Sequence, residues 1–328
     1  MNNELILKFL QQTGSNDLNQ SVTAVQELAV AAEPILREGI QAGDIVSDIF
    51  REVPFAPNAA TEFELDPIAP GTEGDYTAYT ISGPGRIPER RIEGDYVTLP
   101  TFSVGNSCDW LLKYARASRI DVFERAMRVL RNGFTKKIND LGWHVVLSAA
   151  LDRNILMYDS DAAAGNFTKR LMTMLSTTMS RNGGGNSSSV NHKTLTDLYF
   201  SLESMDDIRT WGVDQIDEIS RREIFASPDG TVSRLWRTNL RPIYELGVGQ
   251  EYQLFLTSVL GGALQAADVE LVIGLDLSNK DALVMPTRGG LEVFPDPMLH
   301  RYQKAGMYGW RELGFGLLDQ RIVIAGSY

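Results

Sequence analysis

The sequence predicts a mixed α+β chain of about two domains, and three observations predict it. A glycine- and tyrosine-rich stretch at residues 61–105 reads as two strands around a long tip. A single apolar stripe at helical spacing runs from Phe123 to Val145. Beyond residue 191, short helical and strand patterns alternate.

Composition narrows the function classes first. The chain has 328 residues, 43% hydrophobic and 22% charged, which suits a folded protein and not a disordered one. Its formal charge is −11, so tight or sequence-specific nucleic-acid binding through a basic face is not expected. An acidic balance suits a container wall that must not adhere to a polyanion; it equally suits an ordinary acidic protein. Cys108 is the sole cysteine, so an intrachain disulfide is impossible, and it reads as a small buried hydrophobe. His144, His192 and His300 are too far apart in sequence for a helical metal pair. No apolar run approaches the ~18 residues of a membrane span, and the N-terminus does not read as a signal peptide.

The elements follow in order. Residues 1–20 carry Leu5, Ile6, Phe9 and Leu10, then a polar run, and read as an arm or a frayed tail. Val22, Val25, Leu28, Ala29 and Ala32 predict a helix over 21–41 that Pro34 interrupts. Ile45, Val46, Ile49 and Phe50 form a short buried element. Phe63 and Leu65 alternate with Glu62, Glu64 and Asp66, a half-exposed strand; Tyr96–Leu99 and Thr101–Val104 read as its return. The tip between them has almost no core-forming pattern. So long a loop fits poorly inside a compact domain, and becomes sensible as a projection covered by another molecule or as a surface lid.

Phe123, Met127, Leu130, Phe134, Ile138, Leu141 and Val145 are spaced 4, 3, 4, 4, 3 and 4 residues apart. That is one helix face, predicted over 119–154 and about 50 Å long. Ser118 with Asp121 offers a cap, and Gly133 with Gly142 marks a candidate bend. Arg125, Arg128, Arg131, Lys136 and Lys137 make the opposite face basic. Residues 170–181 read as a helix, followed by a flexible link at 182–189. Helices are predicted from Thr194 through Met205 and over Val232–Trp236, and strands at 223–228, 269–275 and 282–286. Gly289-Gly290 reads as a turn, and 308–325 as extended chain.

No chemistry emerges from this pattern. The nucleophile-elbow and zinc-protease motifs do not occur, and neither does a calcium loop. Gly183-Gly184-Gly185 lacks the Lys-Ser/Thr of a phosphate loop, and Gly247-Val248-Gly249 lacks the third glycine of a dinucleotide site. No catalytic residue, cofactor or metal ligand is assigned, and the chain does not read as an enzyme.

The order of these pieces resembles the tailed-bacteriophage major capsid protein family, the Hong Kong 97 fold. The residues that carry the likeness are the 61–105 hairpin and the 119–154 helix, then Asn191 through Phe225-Ala226-Ser227-Pro228. Gly274–Leu277, Val284-Met285-Pro286 and Trp310 through Gly326 complete it. The resemblance implies residues 1–43 as N-terminal arm and helix, and 44–60 with 106–190 as a peripheral domain holding the spine helix. It implies 61–105 as the extended loop, 191–284 as an α/β axial domain, and 285–328 as strands returning to the peripheral domain. It also implies self-assembly into pentamers and hexamers of an icosahedral shell around double-stranded DNA, with virion localisation and no membrane. Leu5, Phe9, Tyr76, Tyr79, Arg86, Glu89, Arg90, Arg91, Glu93 and Tyr96 would then touch neighbouring subunits. Phe123, Met127, Leu130, Phe134, Ile138 and Leu141 would form the spine. Portal and decoration proteins are further implied partners. The chain starts almost at the arm, which implies a separate scaffolding protein or none. Encapsulin-type shells share this fold, and a soluble α/β enzyme with a long lid is the remaining alternative.

Some family members cross-link a loop lysine to a neighbour's asparagine, but residues 61–105 contain no lysine. Denaturing gels of assembled particles should therefore show no covalent ladder that maps to this loop. Such a ladder would overturn the expectation.

Overall fold

The computed structural model describes residues 8, 10–15, 17–42, 45–65, 95–117, 119–152, 156–159, 166–182, 192–211, 234–261, 270–278 and 280–328. In chain order the helices are α1 (Leu18–Ala42), α2 (Val46–Ile49), α3 (Leu112–Arg116), α4 (Ile120–Asp152), α5 (Lys169–Asn182), α6 (Leu202–Thr210) and α7 (Glu251–Leu254). The first strands are β1 (Arg51–Phe55), β2 (Glu62–Leu65), β3 (Asp95–Thr98), β4 (Phe102–Leu111), β5 (Leu156–Tyr158) and β6 (Asp197–Phe200). Then come β7 (Arg234–Leu235), β8 (Thr238–Pro242), β9 (Leu271–Leu275), β10 (Leu283–Pro295), β11 (Lys304–Leu313), β12 (Gly316–Leu317) and β13 (Val323–Ser327).

The chain divides into two compact units. The first takes Met1–Glu62, Thr98–Gly142 and Val284–Gly316. The second takes Phe63–Val97, Trp143–Leu283 and Leu317–Tyr328. The 33-residue helix α4 contributes to both.

The first unit is built on a sheet of order β1-β10-β11-β4, with β12 beside β10. β4 and β10 run antiparallel to β11, and β1 adds in parallel at the edge, where Pro54 costs no ladder bond that a central strand would need. Period-two burial follows. Val104, Cys108 and Trp110 are buried, while Ser103, Gly105, Ser107 and Asp109 are exposed. The buried face receives α4. Phe123 meets the Trp110 ring edge-on at 5.5 Å, and Leu130, Phe134 and Ile138 are at most 1% exposed. Burial pushes the Cys108 thiol up to about 12, so the reactive thiolate is scarce at neutral pH.

Gly133 and Gly142 mark close approach. A methyl on Gly133 would collide with Asn106, whose side-chain amide donates to the Leu130 carbonyl at 3.0 Å. A methyl on Gly142 would sit 2.6 Å from Val46 on α2. Pro34 does not interrupt α1. The helix runs through it, because Leu28, Ala29, Ala32 and Leu36 bury one face and Pro34 lies on the exposed side. Burial of that stripe outweighs the ~3 kcal/mol a mid-helix proline costs.

The second unit holds a six-stranded sheet, β5-β13-β9-β6-β8-β7. β6 lies antiparallel to β9 and parallel to β8, and β13 lies between β9 and β5. α5 and α6 cover it through Leu171, Leu175, Met179, Met205 and Ile208. Trp143 anchors the end of α4 here, edge-on to Tyr199 at 5.1 Å and stacked on Tyr252 at 5.6 Å. Tyr328 Oη lies 2.6 Å from Ser204 Oγ and donates to Asp207 at 3.3 Å; burial raises its phenol. Burial likewise raises the Glu270 carboxyl, and its Oε2 has no hydrogen-bond partner.

Several expectations are corrected here. Asp197–Phe200 is a strand and not part of a helix, since all four residues are buried in the sheet and periodicity cannot separate a buried strand from a helix. The helix begins only at Leu202, where Ser201 accepts from Ser204 N and caps it. Residues 234–238 form a hairpin and not a helix start. Gly289-Gly290 is a bulge inside β10, with register slipping between Arg288 and Glu292 and Gly289 at φ +71°. The last strand, β13, pairs with β9 and β5 in the second unit. Residues 143–182 likewise fall in the second unit.

Alanine is the better helix former by about 1 kcal/mol, yet Gly142→Ala should destabilise the protein. Overpacking against Val46 costs about 1–3 kcal/mol. A urea unfolding midpoint at or above that of the parent would show that the close approach is not a constraint.

Candidate assembly surfaces

The neck of the 61–105 hairpin is held by a polar clamp in the first unit. Leu99 N donates to the Thr61 carbonyl at 3.0 Å, and the Thr61 hydroxyl donates back to the Leu99 carbonyl. Arg288 on β10 donates to the Ala59 carbonyl at 2.9 Å and pairs with Glu312 on β11 at 3.2 Å. Thr101 donates to the same Glu312 carboxylate at 2.6 Å. One guanidinium and one carboxylate thereby bind both legs. Gly314 and Gly316 let the returning leg pack directly on the strands, since a side chain on either would strike Pro100 or Leu99. Arg311 adds an ion pair to Glu52 on β1 at 2.5 Å.

Beyond the neck, β2 and β3 pair only with each other among the described residues. A lone two-stranded sheet is marginal in water. Glu62 and Glu64 are exposed while Phe63 and Leu65 are half-buried. Tyr96 is 64% exposed, and its hydroxyl donates to Glu64 at 3.3 Å. Among the described residues no further strand pairs with either outer edge. The described hairpin is shorter than expected: β4 starts at Phe102 and belongs to the first unit.

The arm is corrected in part. From Leu10 onward it packs on its own chain and is not left for a neighbour. Leu10 is 1% exposed and Thr13 fully buried. Ser21 donates to the Thr13 carbonyl at 2.7 Å, and Arg116 to the Gly14 carbonyl at 2.7 Å. Leu5 and Phe9 lie outside the described residues, as do Tyr76, Tyr79, Arg86, Glu89, Arg90, Arg91 and Glu93.

The spine residues are brought together, as core. Phe123, Leu130, Phe134 and Ile138 are buried within the chain, and Met127 and Leu141 half-buried. Opposite them Arg125, Arg128 and Lys137 are exposed, with Val129 among them at 58%. Ala32, Ile35 and Leu36 of α1 with Phe123 and Met127 of α4 line a groove of about 350 Å³, rimmed by Glu124, Arg128 and Arg131. Sequence reasoning missed Arg288, Glu312 and Thr101. Their partners lie 24 to 229 residues away, and no local spacing signals such a clamp. Among the described residues no cluster of His, Cys, Asp and Glu could hold a metal ion.

No protein-family model matches the chain, and no curated protein matches it in sequence. Solved structures do match. A chain of the cyanophage Pam1 capsid asymmetric unit is 12% identical, with a TM-score of 0.56, covering 85% of this chain and 88% of that one. The head structure of Helicobacter pylori bacteriophage KHP40 gives 11% identity and a TM-score of 0.55, with coverage of 84% and 87%. A chain of Mycobacterium phage Bobi gives 12% and 0.53, with coverage of 87% and 89%. The chain has the Hong Kong 97-type capsid fold. At this identity the likeness lies in the arrangement of elements and not in shared side chains.

Arg288→Met should remove both bonds of the clamp and leave the Ala59 carbonyl and Glu312 short of a donor. We expect a stability loss of about 1–3 kcal/mol in urea unfolding. An unchanged midpoint would mean that the neck is held by packing alone.

Proposed function

We propose that this chain is the major capsid protein of a tailed bacteriophage. It assembles into pentamers and hexamers of an icosahedral shell that encloses double-stranded DNA. The observation that carries this reading is two-way coverage: capsid chains span 84–87% of this protein, and it spans 87–89% of them.

The physical chemistry supports the same reading. The hairpin is clamped at its neck and its described part is two strands wide, so burial against a neighbour supplies stability that two strands alone lack. Large obligate interfaces of this kind bury about 2,000–5,000 Å². A net charge of −11 keeps the inner wall from adhering to packaged DNA without sequence-specific contact. No helix among the described residues is long and apolar enough to cross a membrane. The work of such a subunit is association, not catalysis. Virion localisation, assembly in the host cytoplasm, and contacts with portal, decoration or separate scaffolding proteins belong to this proposal.

Expression of the chain followed by negative-stain electron microscopy tests it. Closed shells with pentameric and hexameric units are expected, with nucleic acid inside when they come from infected cells. A stable small oligomer would overturn the reading, and shells that hold protein cargo and no nucleic acid would turn it towards an encapsulin. Deleting residues 75–95 should leave a folded subunit that no longer assembles. Normal shells from the deletion would remove the hairpin from the mechanism.

A further inference from the structure

The second unit carries opposite charge at the two ends of one strand. At the start of β8, the hairpin with β7 turns through Trp236 and Arg237, between the paired residues Leu235 and Thr238. Both turn residues have positive φ, 45° and 70°. Two-residue hairpins of this hand favour Asn-Gly, and L-residues there are strained by about 1–2 kcal/mol each. The turn nevertheless presents a tryptophan that is 45% exposed, with Arg234 and Arg237 exposed beside it. Lys169 Nζ lies 5.2 Å from the Trp236 ring centroid, and Trp211 stacks with the same ring at 6.4 Å. α5, which starts at Lys169, has no acidic residue and also carries Arg170 and Arg181.

Five residues on, about 17 Å along β8 and just past Arg241, which pairs with Asp197 at 3.6 Å, the character reverses. Beyond Pro242 the chain exposes Tyr244 by 59% and Val248 by 38%, with Glu245 half-buried between them. Glu251 is exposed at the start of α7, and Glu203 of α6 lies over Gly247. β6 runs parallel to β8, which places the first turn of α6 at this same end. The described residues here bring three carboxylates around an apolar floor.

We propose that these two ends meet between copies: the Trp236–Arg237 hairpin of one subunit docks on the Tyr244–Glu251 surface of the next. The contact is heterologous, the type that builds a ring when the rotation between copies closes. The exposed tryptophan supplies the buried anchor and the charges set direction, since the mirror arrangement would place like charges together. The strained turn is then understood as a recognition element held ready in the free subunit. This contact rests on the shell reading, and it adds a polar, direction-setting interface to the hairpin.

The test is a charge reversal followed by its compensation in the full chain, with particle yield read by sedimentation and microscopy and the fold by thermal melting. Arg234→Glu with Arg237→Glu should lower the yield by about tenfold or more. Adding Glu245→Lys and Glu251→Lys should restore most of it. Trp236→Gly suits the positive φ, so it should keep the melt and still lose yield. Parent-level assembly of the double reversal, or no recovery by a compensated variant that melts like the parent, overturns the contact. Normal assembly with reduced nucleic-acid content would reassign the basic end to nucleic acid and overturn it as well. If the parent itself forms no particles, the shell reading falls and the contact with it; if only the variants disagree, the contact alone falls.

Discussion

Close approach of α4 to β4 is the constraint on which the first unit depends. Only a glycine at 133 lets the helix come near enough for Asn106 to reach the Leu130 carbonyl. That distance fixes how deeply Phe123, Leu130, Phe134 and Ile138 sink into the inner face of the sheet. It therefore fixes the position of β11, which pairs with β4 along its full length. The Arg288–Glu312 clamp spans β10 and β11, so the geometry of the hairpin neck is inherited from helix packing remote from it in sequence. Gly142 repeats the device against α2.

A clamp at the neck and a marginal pair of strands beyond it form a coherent combination. A hairpin free at its base would lose orientational entropy on every association, which weakens binding. A hairpin packed along its whole length would have no edge left to offer. Here the root is held by charged hydrogen bonds and by glycine-permitted contact, while no further described strand pairs with the outer edges of β2 and β3. Pre-organisation at the root lowers the entropic cost of docking without consuming the docking surface.

What was legible in the sequence tracks the range of the interactions involved. The stripe on α4 is a local, periodic signal, and its bounds came within two residues. β2 showed in the alternation of Phe63 and Leu65 with acidic neighbours. β6 did not, because a strand buried on both faces has no alternation, and Leu198, Leu202 and Met205 mimic helical spacing by accident across a strand and a helix. Pro34 misled because proline is costly only in relation to what the rest of the helix buries. The turn at Trp236–Arg237 was invisible because those residues are poor turn formers; their conformation is imposed by the pairing of β7 with β8. The clamp at Arg288 joins residues drawn together only by the finished sheet, so no window of sequence contains it.

Electrostatics imposes a last requirement on any assembly of this chain. Each copy carries −11, and bringing many copies together raises repulsion that salt screens beyond about 10 Å but not at contact. Attractive interfaces must then be local exceptions to the mean charge. Two basic exceptions among the described residues are the exposed face of α4 and the Lys169–Arg237 end of the second unit. The α4 face has Val129 as its one large exposed apolar residue, which limits the area it can bury. The Lys169–Arg237 end is built around a large aromatic ring and has a complementary acidic end on the same strand. Net negative charge and ordered self-association are therefore compatible: the mean charge opposes indiscriminate contacts, and the few places where it is reversed select the geometry that forms.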